Sequence, residues 1–128
     1  MSETGINSLI ERDEEETMID PEVVLQQILD DPNLVQHVSR IQCQGIETVT
    51  GYFRLTFAEG QQRQIIHFPF TPPLRLVPVV EAHATDQNDV RVRITDRQRF
   101  GVRAEVIHSR HKGLSQQILV EIIATETD

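Results

Sequence analysis

The sequence predicts an all-β domain, an antiparallel sandwich or barrel of six strands entered through a short helical segment. Three observations lead there. The hydrophobic period is two from Thr48 onward, the apolar runs recur at short regular intervals between turn residues, and no helical pattern separates them. The 128 residues suffice for one domain whose core folds unaided, and 38% apolar with 25% charged residues is an ordinary globular balance.

Residues 1–19 are polar, acidic and poor in large apolar groups, the composition of a disordered tail. Asp20-Pro21 then reads as an N-cap followed by proline at the first helical position. Val23, Val24 and Ile28, and later Leu34, Val35 and Val38, are spaced for a helical stripe. Asp30-Asp31-Pro32-Asn33 interrupts it, and Asn33 is placed to cap a second short helix through about Arg40. The expected organisation is a tail over 1–19, a helical segment over 20–44 and a β domain over 45–128. The helix is expected to pack on its own domain, on a neighbouring copy or on a protein partner.

The strands follow in turn. "TVTGYFRLTF" offers Val49, Tyr52 or Phe53, Leu55 and Phe57 to the core and closes at the turn Glu59-Gly60. "RQIIHF" comes next, then "LRLVPVVEAHA", where Pro78 implies an edge position or a bulge because it cannot donate to a ladder. After "TDQND", the run "VRVRI" sets Val90, Val92 and Ile94 inwards, so Arg91 and Arg93 face outwards. "FGVRAEVIH" alternates Val102, Ala104 and Val106 against Arg103 and Glu105. Past the turn Lys112-Gly113, "QILVEIIAT" aligns Ile118, Val120 and Ile122 on one face.

Charge is divided unevenly. Residues 1–47 hold 11 acidic and 2 basic residues, whereas residues 48–128 hold 9 acidic and 10 basic ones. The net charge of −8 argues against general nucleic-acid binding, although seven Lys/Arg between Arg91 and Lys112 form a local basic patch. No apolar run approaches the ~18 residues that a membrane helix needs. The N-terminus lacks a basic stretch followed by an apolar one, so no signal peptide is expected and the protein should be cytoplasmic or assembled into a particle. Cys43 stands alone and excludes an internal disulfide.

The sequence contains no nucleophile elbow, phosphate-binding loop or dinucleotide fingerprint, and Cys43 has no matched histidine near it. His108 and His111 are three residues apart, but across a turn beside Arg110 and Lys112, a poor setting for a cation. No enzyme, metal or cofactor is therefore expected. Arg91, Arg93 and Arg103 have a plain alternative role in ion pairs with Glu105 and Glu121.

From Ile65 to Glu126 the order of features is informative: Phe68 and Phe70, Pro72-Pro73, the apolar run Leu76 to Val80, and the turn Asp86 to Asp89. Arg91 follows, then the Gly-led strand Gly101 to Val106 and the long final run Leu114 to Thr125. This succession resembles the H-type lectin domain family. The resemblance implies a six-stranded antiparallel β-sandwich that forms a homotrimer and binds galactose or N-acetylgalactosamine-type sugars between subunits. Arg91 matches the family's sugar-contacting arginine, His111 its histidine from the adjacent subunit, and Glu59 beside Gly60 its acidic ligand. The second reading is an assembly module, for example in a phage particle or tail, that keeps the fold without the sugar site. The acidic tail and helix and the absence of tryptophan favour that alternative.

Overall fold

The computed structural model describes residues 20–85, 89–108 and 113–127. The chain divides into two compact units, Met1–Leu34 and Val35–Asp128. Among the described residues the first unit contributes one helix, α1 (Pro21–Asp30). Its start follows from its first two residues. The extended Asp20 accepts the Glu22 N–H at 2.9 Å, and Pro21 occupies a position where no amide donor is required. The helix stops at Asp30, two residues before Pro32, and the Asp31 N–H turns back to the Ile28 carbonyl. The acidic stretch 1–19 lies outside the described residues.

The second unit is all-β. Seven strands occur among its described residues: β1 (Gln36–Cys43), β2 (Ile46–Phe57), β3 (Arg63–Pro69), β4 (Val79–Ala84), β5 (Arg91–Gln98), β6 (Gly101–Ile107) and β7 (Gln116–Thr125). They form a four-stranded sheet in the order β1-β2-β7-β4 and a three-stranded sheet in the order β3-β6-β5. Every pairing is antiparallel.

Seven strands replace the expected six. The additional one is β1, which lies where a second helix through Arg40 was expected. Its cause is the two-residue connection Gln44-Gly45, both residues with positive φ, at 54° and 81°. That geometry suits the twist of a tight hairpin and folds β1 onto β2 without a slip from Gln36↔Phe53 to Cys43↔Ile46. A second correction concerns "LRLVPVVEAHA", where strand structure begins only at Val79. Leu74 is fully buried outside any strand, and the Arg75 N–H is held by a side chain rather than by a ladder. Pro78 directly precedes β4, which sits at a sheet edge, where a missing donor costs nothing.

The two sheets share one hydrophobic core. The four-stranded sheet supplies Val49, Phe53, Phe57, Ile118, Val120, Ile122 and Ala124; the three-stranded sheet supplies Ile66, Phe68, Val102, Ala104 and Val106. Phe68 joins them, its ring 5.0 Å from Phe53 and 5.1 Å from Phe70, edge-on to each. Gly51 makes room for this contact, because a Cβ there would come within 2.8 Å of the Phe53 and Phe68 rings. Burying a side chain such as Phe57 stabilises the fold by about 1.5–3 kcal/mol, so this cluster dominates its energetics.

Candidate functional site

The expected outward arginines lie on the far side of the three-stranded sheet from this core. Register aligns Arg63, Ile107 and Arg91 in one row, Ile65, Glu105 and Arg93 in the next, and His67, Arg103 and Asp96 in a third. Thr95 is the extra residue of a bulge between the last two rows. Glu105 is only 5% exposed although its strand position points outwards. Two guanidinium groups cover it: Arg93 donates to Oε1 at 2.7 Å and Arg63 Nε lies 3.0 Å from Oε2. One carboxylate thus occupies two arginines. Arg91 is exposed, and its guanidinium has no hydrogen-bond or ion-pair partner among the described residues.

Glu59 and Gly60 are exposed in the turn between β2 and β3, with Gly60 at φ 76°. The Gln61 N–H to the Ala58 carbonyl, 2.9 Å, and the Ala58 N–H to Gln61 Oε1, 2.8 Å, fix this turn. It leads directly into Arg63, which shares a row with Arg91. The His108 N–H reaches the Gln62 carbonyl at 2.9 Å, so the exit of β6 arrives at the same end. The structure therefore brings Arg91, Glu59 and Gly60 to one end of the unit without a bond between them. His111 lies outside the described residues, as do residues 86–88 of the expected turn Asp86 to Asp89. His108 is buried, with its ring edge-on to Phe57 at 6.0 Å and Nε2 3.1 Å from Gln116 Oε1, and acts as a packing residue.

On the outer face of the four-stranded sheet, His37, Tyr52, Glu121 and His83 line up across all four strands. The Tyr52 hydroxyl donates to Glu121 Oε2 at 2.7 Å, and His83 Nε2 lies 3.1 Å from Oε1. Burial, then the bond to Glu121, pushes the Tyr52 phenol well above its ordinary range. Glu121 is thus engaged by Tyr52 and His83, not by the arginines that sequence spacing offered.

Two features escaped sequence reasoning. One is a corner where distant segments converge on Glu126, which is 1% exposed. Its carboxylate accepts the Arg75 N–H at 2.6 Å, the Glu47 N–H at 3.2 Å and Arg75 Nη2 at 3.2 Å. Beside it Arg40 forks onto Glu47 with two bonds of 2.8 Å and also donates to the Pro72 carbonyl. The Arg75 amide, against the opposing effect of burial, holds the Glu126 carboxyl below its usual range. Arg40 does the same to Glu47, and Glu47 in turn raises Arg40.

The other feature is Phe100, whose ring is 62% exposed between β5 and β6. Its signal in the sequence was an aromatic at the Arg99-Phe100-Gly101 turn, which the strand alternation absorbed. Among the described residues, no group of three or more His, Cys, Asp or Glu is placed to hold a metal ion, and no helix is long and apolar enough to cross a membrane. Comparison with known protein families, curated proteins and solved structures finds no match to this chain.

Proposed function

We propose that the chain is a non-enzymatic carbohydrate-binding module of β-sandwich architecture, its two sheets closing on the shared core. Galactose or N-acetylgalactosamine-type sugars bind between subunits of a homotrimer, with Arg91, Glu59, Gly60 and His111 as the contacting residues. One observation carries the reading. Arg63 and Arg93 are both occupied by Glu105, whereas Arg91, in the Arg63 row and at the end that carries the Glu59-Gly60 turn, is unpaired among the described residues. A free guanidinium presents several fixed donors, the requirement for vicinal hydroxyl groups. Weak single sites on a trimer would gain by multivalency.

A glycan array with galactose and N-acetylgalactosamine termini, run beside sedimentation in the same buffer, tests the proposal. A trimer that selects such glycans, with Arg91→Ala weakening binding about tenfold or more, is the expected result. A monomer, or an Arg91→Ala protein of unchanged affinity, overturns it.

A second reading, an assembly module, draws on β1. This strand ends its sheet, and Val35 just before it, Val38 within it and Ile46 at the turn end of its hairpin are 65%, 44% and 43% exposed. An apolar edge strand is a ready template for another chain. A trimer that binds no glycan would favour this role.

A further inference from the structure

The geometry points to a second saccharide site, at the opposite end of the same outer face from Arg91, built from Phe100, Asp96, Arg103 and His67. The inference takes its ligand class from the carbohydrate reading and its position from different residues. A depression of about 330 Å³ lies here, with Phe100 and Pro69 among its apolar walls and Gly101 within it. That volume is at the small end of ligand sites, on the scale of one sugar ring.

The Phe100 ring is exposed, yet its backbone is tied down. The Phe100 carbonyl accepts the Phe70 N–H and the Arg99 carbonyl accepts the Leu74 N–H, each at 2.8 Å, and Arg99 Nε returns to the Leu74 carbonyl at 3.0 Å. The platform is therefore pre-organised, which lowers the ordering cost of binding. A further depression of about 350 Å³, lined by Pro73, Val77 and Gln98, also borders Phe100. The ring forms a ridge between the two, and the apolar face of a pyranose stacks on such a surface.

The polar groups select the ligand class. Asp96 and Arg103 are register partners but form no ion pair. Asp96 Oδ1 accepts the Arg97 N–H at 3.0 Å and Gln98 Nε2 at 3.1 Å, leaving Oδ2 without a partner among the described residues. Arg103 and His67 likewise have no side-chain partner among them. A free acceptor beside free donors suits hydroxyl groups, which donate to Asp96 and accept from Arg103. An anion would meet Asp96 and a cation would meet Arg103. Gly101, on the Arg103 side of its strand, leaves backbone at the floor, since a Cβ would stand 3.0 Å from the Phe68 carbonyl oxygen.

The test is a backbone-amide NMR titration of the full chain with methyl glycosides of galactose, N-acetylgalactosamine, glucose and mannose, repeated on Phe100→Ala and Asp96→Asn. Phe100 and Asp96 are exposed, so both variants should keep the native spectrum. The expected result is that at least one glycoside shifts the amides of His67, Phe100, Gly101 and Arg103, and that Phe100→Ala weakens this binding about tenfold. Shifts confined to Arg91, Glu59 and Gly60 would overturn this site and leave the proposed function standing. Shifts confined to the Phe100 end would do the reverse. Unchanged affinity in both variants, or the same shifts produced by a zwitterionic amino acid and by no glycoside, overturns the inference.

Discussion

Two clusters of charge in this molecule use the same residue types to opposite ends. At the Glu126 corner every charged group has partners: Arg40 with Glu47, and Arg75 with Glu126, whose carboxylate also gathers two backbone amides. On the outer face of the three-stranded sheet Asp96 and Arg103 stand in register and do not pair, and Arg91 stands alone among the described residues. The difference is what surrounds them. At the corner the chain closes over Glu126, 1% exposed, so that carboxylate would cost heavily if left unmatched, whereas Arg91, Asp96 and Arg103 are exposed, where water solvates each group and imposes no pairing. Charges in the corner are consumed by the fold, as is Glu105 with its two arginines, whereas Arg91, Asp96 and Arg103 on the face remain available to a ligand. Substitutions should therefore act on stability in one place and on binding in the other.

The largest effect belongs to Glu126→Ala. It leaves the amides of Glu47 and Arg75 without their acceptor in a buried place and releases the segment before β4. The melting temperature should fall by roughly 5–10 °C, read by calorimetry against the parent. A change of a degree or less would break the comparison, because the corner would then be no more structural than the face.

Acid should act through the same corner. The carboxyls of Glu126 and Glu47 are both held below the ordinary value of 4.5, so their contribution is fully present above that pH and is lost as pH falls through their lower folded values. Urea midpoints should be level from neutral pH to about 5 and decline below it, less steeply in Glu126→Gln than in the parent. An equal decline in both proteins would move the acid-sensitive groups elsewhere.

Much of this architecture is legible in the sequence. The alternation over Val90–Ile94, Val102–Val106 and Ile118–Ile122 fixes which residues face the core, because a half-buried strand must alternate. β1 was hidden because Leu34 and Val35, just ahead of it in sequence, and its own Val38 also satisfy a helical spacing; the signal against a helix was the Gln44-Gly45 turn, which acts only once β2 is there to pair. Glu126 could not be found locally at all. Its amide partners lie 79 and 51 residues away in sequence, and near the chain's end it looks like any solvated acid. Arg91 was identifiable as outward, but not as unpaired. Only the register shows that Glu105 is filled by Arg93 and by Arg63 from another strand.

Arg93→Ala should have a smaller effect. The bond to Glu105 is short, but the arginine is 65% exposed and Arg63 stays on the same carboxylate. With its guanidinium in water and the carboxylate still paired to Arg63, the lost bond should cost as much as an exposed pair, about 0.2–1 kcal/mol in denaturant unfolding. A loss of several kcal/mol would mean that Glu105 depends on Arg93 as strongly as the corner depends on Glu126, and the contrast between closed and open charge would fail.

The smallest effect is the sharpest test of the face. In a double-mutant cycle over Asp96→Asn and Arg103→Gln, the coupling energy in free protein should lie within about 0.3 kcal/mol of zero, because the two groups share a row without an ion pair. Neither residue supports the core, so each single variant should also unfold within about 0.5 kcal/mol of the parent. The cycle over Arg93 and Glu105 is the internal control, since that pair touches at 2.7 Å and should couple measurably. If Asp96 and Arg103 couple as strongly as the control, they already satisfy one another. They would then be another charge pair consumed by the fold, and the surface beside Phe100 would lose the free donor and acceptor that set it apart from the corner.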